Sequence, residues 1–263
     1  MEELLRENNI YCGDAAELLD RLGDNSIDLV VTSPPYDDLR KYGKEKSDWN
    51  KTKFEEIARK LYRVMSDGGV VVWVVNDKTD KGSKTLTSFE QALYFKEIGF
   101  NVNDVMVWEK TNPMPVVKQC RYSDVFEYMF VFSKGKPKTF NPIMIDCKCA
   151  GFDYNSTAKN MGGENGRREL HYKVNKQKVK GNIWEIAIAQ NKTGHPAVFP
   201  LQIALDHIKS WSSEGDVVLD PFVGSGTTCI AAKQLGRKYI GFDSNEEYCE
   251  MSRKRLGGTS SFT

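Results

Sequence analysis

Val217-Val-Leu-Asp220-Pro-Phe-Val-Gly-Ser-Gly-Thr-Thr228 reads as a short buried strand, a glycine loop and the opening of a helix. Gly224 and Gly226 let the backbone approach a ligand closely, and a helix expected over Gly226 to Leu235 offers free N–H groups and a positive dipole end to a carboxylate. The next strand, Tyr239 to Asp243, ends on an acid placed where ribose hydroxyls are commonly accepted. Only two glycines of a G-x-G-x-x-G pattern are present, and position 229 is Cys. That argues against a dinucleotide, whose pyrophosphate needs the closer approach. A plain glycine turn between strand and helix is the bland alternative. The flanking strands and Asp243 weigh against it.

Outward from this stretch, strand and helix alternate. Asn9-Ile-Tyr-Cys-Gly-Asp14 is a short strand followed by an acid, and Ala15 to Leu22 a short amphipathic helix. Ile27 to Thr32 and Val70 to Val75 are apolar runs of buried strands, the second continuous as in a central parallel strand. Thr52-x-x-Glu55, Thr87-x-x-Glu90 and Ser244-x-x-Glu247 read as capping boxes opening helices that end near Met65, Gly99 and Leu256. Asp104 to Lys110 and Val125 to Ser133 are expected as an antiparallel edge hairpin. Asn182 to Ile186 has strand character, and Pro200 to Trp211 helical character. The class is therefore α/β, a Rossmann-like, doubly wound, mostly parallel sheet. Residues 136–180 stand apart, rich in Asn, Lys and Gly and without a clear period. The expected organisation is 1–135 as one half of a domain, 136–180 as an insertion, 181–256 as the other half, and 257–263 as a disordered tail.

The chain has 263 residues, 40% hydrophobic and 28% charged, as in an ordinary globular protein. Its longest apolar run, Gly69 to Val75, is too short to span a membrane. The start carries no secretory signal pattern. Six scattered cysteines read as reduced thiols of a cytoplasmic protein. Cys147-Lys-Cys149 has no partner pair at ligand spacing, so no metal site is expected. Net charge is +1, but residues 136–180 hold ten Lys and Arg against four Asp and Glu, which leaves the rest of the chain at −5. One segment carries the basic patch.

Thr32-Ser33-Pro34-Pro35-Tyr36 carries the chemistry. An exocyclic amine on a nucleobase is a poor nucleophile because its lone pair is delocalised into the ring. Acceptors that draw its N–H bonds out of plane free that lone pair. The Ser33 hydroxyl and the Pro34 carbonyl are such acceptors, and neither Pro34 nor Pro35 has an N–H to compete. The double proline fixes the loop in advance. Tyr36 offers a flat face to a base that has left the helix. Alone, the tetrapeptide would read as a rigid turn after a strand. With a cofactor loop elsewhere in the chain, the chemical reading prevails.

The string from His195-Pro196 through Asp220-Pro-Phe-Val-Gly-Ser-Gly-Thr-Thr to Gly241-Phe-Asp243, with Asn9 to Tyr36, resembles the β-class DNA amino-methyltransferases. The resemblance covers nearly all of the chain except residues 136–180. It implies S-adenosylmethionine as cofactor, bound by Asp14, Asp220, Phe222, Gly224, Gly226, Thr227 and Asp243, with His195 and Pro196 nearby. His195 is equally read as orienting the loop, and Phe222 as core. It implies Ser33, Pro34, Pro35 and Tyr36 as catalytic, acting on double-stranded DNA with the target base flipped out. The order, chemical loop before cofactor loop with the basic segment between them, is the β arrangement. Protein and small-molecule amine methyltransferases usually reverse it. Serine at position 33 favours cytosine N4, with adenine N6 as the alternative. Residues 136–180 lie where this class carries target recognition: Lys136, Lys138, Arg167, Arg168, Lys173, Lys176, Lys178 and Lys180 are phosphate candidates, and Arg167, Arg168, Asn160 and Asn165 base-reading candidates. A second DNA-contacting stretch runs from Asp37 to Lys53, with Arg40, Lys41 and Trp49. A homodimer and a restriction partner stay open, and the source is expected to be bacterial or phage. Rivals are another amine substrate, which the motif order opposes, and a DNA-binding protein without activity, which the intact motifs oppose.

Overall fold

The computed structural model describes residues 3–35, 49–113, 121–159, 167–189 and 200–258. They fall into two units, Met1–Asn141 with Asn182–Thr263, and Pro142–Gly181. In the larger unit the order is β1 (Asn9–Cys12), α1 (Ala15–Asp20), β2 (Ile27–Thr32), α2 (Lys51–Val64), β3 (Met65–Val75), β4 (Thr79–Asp80), β5 (Ser83–Lys84), α3 (Thr87–Glu97), β6 (Asn101–Lys110) and β7 (Phe126–Ser133). The smaller unit holds β8 (Met144–Asp146), β9 (Asp153–Lys159), β10 (Arg167–Lys173) and β11 (Gln177–Val179). The chain then returns to the larger unit with β12 (Ile183–Ile186), α4 (Leu201–Trp211), β13 (Val217–Asp220), α5 (Thr227–Gln234), β14 (Lys238–Asp243) and α6 (Glu246–Gly257).

Eight strands of the larger unit form one sheet in the order β1-β14-β13-β2-β3-β7-β6-β12. The first five are parallel. β7 runs antiparallel to both β3 and β6. The antiparallel pair expected from the sequence is present, and β12 flanks it, parallel to β6. The central strands β2, β13 and β3 are buried almost throughout, as a parallel sheet covered on both faces requires.

α2 shows how the faces are covered. Phe54, Ile57, Ala58, Leu61 and Val64 recur at helical spacing and are all buried. Each large member of the stripe contributes about 1.5–3 kcal/mol by leaving water. Phe54 meets Trp73 and Phe95 at ring distances of 5.9 and 5.6 Å, and Phe95 stacks on Phe132 at 4.6 Å. The buried Trp73 indole N–H donates to Gln91 Oε1 at 2.8 Å, so the largest core side chain leaves no unpaired donor.

The three capping boxes differ from expectation. α2 is capped by Asn50, whose side chain accepts from Lys53 N–H, and Thr52 lies inside the helix. α6 is capped by Asn245, one residue after the expected serine. α3 begins after Leu86 with no side-chain cap of its own. Asp77, at the end of β3's connection, instead accepts from Ser88 N–H at 2.8 Å and from its hydroxyl at 2.9 Å. A cap brought from eleven residues away cannot be found in a four-residue pattern. β3 also begins earlier than its apolar run, at Met65, and passes through Gly68, whose positive φ of 76° brings it against the backbone of Lys136 and Lys138.

The smaller unit was expected without clear period. Its four strands form two antiparallel two-stranded sheets, β8 with β11 and β9 with β10. β8 and β11 are exposed along their whole length. With no buried face, no alternation is imposed on the sequence, and the strands are invisible to a periodicity reading.

Candidate active site

β13 lies between β14 and β2, and all three are parallel. Their carboxyl ends, Asp220, Asp243 and Thr32, therefore stand side by side. A doubly wound sheet opens its ligand crevice at this edge. β1 adds its own end on the far side: Cys12 pairs with Asp243, and Gly13 N–H donates to the Asp243 carbonyl at 2.9 Å. Asp14, the glycine loop, Asp243 and the start of the Ser-Pro-Pro loop are thus brought together from positions up to 229 residues apart.

The loop after β13 turns through Gly224 at φ +48° and Gly226 at φ +84°, a region that penalises any side chain. α6 holds the loop from behind. Ser252 donates to the Gly224 carbonyl at 2.6 Å, and Arg255 donates to the Ser225 carbonyl. A Cβ at Gly226 would stand 3.1 Å from the Ser252 side chain. Neither Ser252 nor Arg255 was singled out in the sequence. The available signal is Ser252 on the buried stripe of α6 with Cys249 and Leu256, a polar residue where an apolar one is expected. α5 starts at Thr227, itself buried, with no side-chain cap, so among the described residues no cap side chain takes the N–H groups of its first turn.

Asp243 is largely buried. Its Oδ2 accepts from Gly224 N–H and its Oδ1 from Asn245 N–H, both at 2.9 Å. Burial raises its carboxyl above the usual range, against these two bonds. Each oxygen retains acceptor capacity for a further donor. Asp14 is half-exposed and differently engaged: it caps α1 through Ala16 and Glu17 N–H and accepts from Lys53 Nζ at 2.7 Å. Burial works to raise it, but the Lys53 contact and the cap bonds outweigh burial and hold it below the usual carboxylate range. Phe222 is partly buried, edge-on to Trp49 at 5.2 Å and to Trp73 at 6.2 Å. It packs against the core beside Asp220, as one of its two sequence readings has it.

Asp220 is buried, and among the described residues no cation faces it. Its Oδ1 accepts from the Thr32 hydroxyl at 2.7 Å and from Phe222 N–H at 3.1 Å. Burial pushes its carboxyl up to about 6, against the hydrogen bonds from Thr32, Thr228 and Phe222. The Thr228 hydroxyl also lies 3.1 Å from the Val31 carbonyl. Beyond Thr32, Ser33 and Pro35 are partly exposed and Pro34 is buried. Tyr36, Arg40, Lys41, His195, Pro196, Asn160, Asn165 and the tail from 259 lie outside the described residues.

Lys173, Lys176 and Lys178 are exposed in the smaller unit, and Arg167 and Arg168 open β10. Lys138, counted with the basic segment, is committed elsewhere. It belongs to the larger unit and bonds Asp28 Oδ1 at 2.5 Å and Asp216 at 3.7 Å, at the end of the sheet opposite Thr32. Among the described residues no group of three metal-ligating side chains occurs, no helix is long and apolar enough to cross a membrane, and the five described cysteines are free.

Comparison with known proteins is consistent with this architecture. Residues 27–254 match the DNA methylase family of N6- and N4-methyltransferases. The orphan methyltransferase M.BamHII of Bacillus amyloliquefaciens is 49% identical over 251 residues, 90% of this chain and 91% of that one. Among solved structures, the cytosine-N4-specific PvuII DNA methyltransferase aligns over 99% of this chain and 90% of its own with a TM-score of 0.70 at 20% identity, a likeness of fold. The complex of M1.HpyAVI with S-adenosylmethionine aligns over 94% of this chain and 98% of its own with a TM-score of 0.64 at 27% identity. The chain belongs to the N6/N4 DNA amino-methyltransferase family. It is a DNA methyltransferase that uses S-adenosylmethionine.

Proposed function

We propose that this protein methylates the exocyclic N4 of a cytosine flipped out of double-stranded DNA, using Ser33, Pro34, Pro35 and Tyr36 as its amine-activating loop. Support comes from the side-by-side carboxyl ends of β2 and β13, bonded through Thr32 and Asp220 at 2.7 Å just before the two loops diverge. S-adenosylmethionine supplies an electrophilic methyl group carried on a sulfonium. The uncapped first turn of α5 fits its carboxylate, the half-open Asp243 its ribose hydroxyls, and Phe222 its adenine. Asp14, Gly224, Gly226 and Thr227 complete that cradle, with His195 and Pro196 next to it. Asp220 supports it from beneath.

On the other side of the crevice, the Ser33 hydroxyl and the Pro34 carbonyl accept the two N–H bonds of the target amine. The nitrogen becomes tetrahedral as its lone pair turns toward the methyl group, and Tyr36 stacks on the base. The amine loses a proton to water after transfer, so the loop needs no His or Glu base. The segment 136–180, with Arg167, Arg168, Lys173, Lys176 and Lys178, supplies phosphate and base contacts, and Arg40 and Lys41 follow the catalytic tyrosine. Such an enzyme works in the cytoplasm of a bacterium, or of a phage host, where DNA and cofactor meet.

Hydrolysis of DNA from cells expressing the protein, with nucleosides identified by mass spectrometry, tests the reading. N4-methylcytosine is the expected product. N6-methyladenine alone overturns the base assignment and leaves the mechanism standing. 5-Methylcytosine overturns the mechanism, because carbon methylation needs a covalent thiolate.

A further inference from the structure

Thr32 precedes the catalytic loop, and nothing in the amine chemistry calls for its hydroxyl. A valine would fill the same strand position. Yet the residue is 1% exposed, and its hydroxyl donates to Asp220 Oδ1 at 2.7 Å. The backbone ladder between the two strands shows why this bond has work to do. β2 and β13 pair only at Leu29 with Val218 and at Val30 with Leu219. Beyond Val30 and Leu219 the two strands no longer pair with each other, although β2 stays laddered to β3 as far as Thr32 and β13 to β14 as far as Asp220; the two loops begin after those residues. Side chains take over the connection. Thr32 of the chemical loop donates to Asp220, and Thr228 of the cofactor helix donates to the Val31 carbonyl at 3.1 Å. The two bonds run in opposite directions across the same gap. Asp220 Oδ1 also accepts Phe222 N–H, so Thr32 is tied through one oxygen to the first turn of the glycine loop.

We propose that Thr32 is a positioning residue for methyl transfer, its hydroxyl setting the separation between Ser33–Pro34 and the cofactor loop through Asp220. The inference rests on the reading that Ser33 and Pro34 accept the target amine. Transfer requires the amine nitrogen, methyl and sulfur in line, and a displacement of about 1 Å between reacting groups lowers rates on the order of a hundredfold. Of the two hydrogen bonds across the gap, the short buried one from Thr32 is the one that ties the chemical loop to the glycine loop, and its loss is where such a displacement would arise.

The test compares wild type with Thr32→Val, Thr32→Ser and Ser33→Ala. Cofactor affinity is read by calorimetry. Single-turnover transfer of tritiated methyl is read on genomic DNA from a methylation-deficient bacterial host. Thr32→Val is expected to lower the single-turnover rate roughly ten- to a hundredfold with cofactor affinity changed only a few-fold. Thr32→Ser, which keeps the hydroxyl and loses the methyl, is expected to restore most of the rate. A wild-type rate in Thr32→Val overturns the proposal. So does an equal loss in Thr32→Ser, or a loss residing wholly in cofactor affinity. If the valine variant does not fold by circular dichroism, Thr32→Cys replaces it. Its weaker donor should give an intermediate rate, and a wild-type rate overturns the proposal equally. Full activity in Ser33→Ala instead refutes the acceptor role of Ser33. An inactive Ser33→Ala beside a fully active Thr32→Val overturns the positioning role alone.

Discussion

Replacing Asp220 by Asn removes a buried ionisable group and keeps its shape. Burial raises the carboxyl from 3.8 to about 6, so the native state binds this proton more tightly than the unfolded chain does. The stability contributed by Asp220 is therefore fully present below about pH 4 and is lost as pH rises through about 6. A shift of about two units is worth about 3 kcal/mol at 1.36 kcal/mol per unit, and the group is buried, so solvent screening does not reduce it. Asn keeps the partners. Its Oδ1 can accept from the Thr32 hydroxyl and Phe222 N–H as the carboxylate does. Asp220→Asn should then be more stable than wild type at about pH 8, by up to about 3 kcal/mol. The advantage should shrink by about 1.4 kcal/mol at about pH 5. In a domain of this size that amounts to roughly 2–4 °C in Tm per kcal/mol. Urea unfolding of the ligand-free protein at the two pH values reads it directly. An Asn variant less stable at the higher pH, or a difference that does not change with pH, refutes the argument that this carboxylate is held at a cost between the two loops.

Other outcomes follow from the same site. S-Adenosylmethionine should raise the melting temperature, and Asp243→Ala should reduce the rise by removing ribose acceptors together with the Gly224 anchor; a shift with a nicotinamide dinucleotide instead would sink the cofactor assignment. Ser252→Ala, which releases the Gly224 carbonyl, should cost about 1 kcal/mol of stability and weaken cofactor affinity, read by thermal melts and calorimetry. Tyr36→Ala should weaken transfer by about 1–3 kcal/mol from lost stacking, measured as single-turnover rate on DNA. Neutralising Arg167 and Arg168 together should flatten the salt dependence of DNA binding by up to about two units if both meet phosphates. A change in sequence preference alone would make them base readers, and no change would move the DNA interface elsewhere.

The sheet was legible because burial on both faces writes itself locally. Ile27 to Thr32 and Val217 to Asp220 match their strands residue for residue, since a central parallel strand is predominantly apolar, with Asp28, Thr32 and Asp220 as the few polar positions here. The glycine loop and the Ser-Pro-Pro loop were legible for a related reason: glycine and proline report a backbone conformation whatever surrounds them. Helix ends were less so. Asn50 and Asn245 compete with nearby Thr and Ser for the same cap, and α3 takes its cap from Asp77 on another element. β8 and β11 left no pattern because their exposed residues make no demand on alternate positions.

The sequence by itself determined which side chains carry the chemistry and that a strand presents each loop, because both are short-range properties of the chain. Only the tertiary structure decided how they meet. Asp243 was expected as a ribose acceptor, and folding shows that its carboxylate also splints Gly224 and Asn245. Asp14 was expected at the cofactor, and in the fold its carboxylate caps α1 and pairs with Lys53. Lys138 was counted among the DNA contacts, and its charge is bound to Asp28 and Asp216. Thr32 and Asp220 lie 188 residues apart, and the bond between them exists only because β13 inserts beside β2. A hydrogen bond needs its partners within about 3 Å, and that proximity belongs to the fold rather than to either residue.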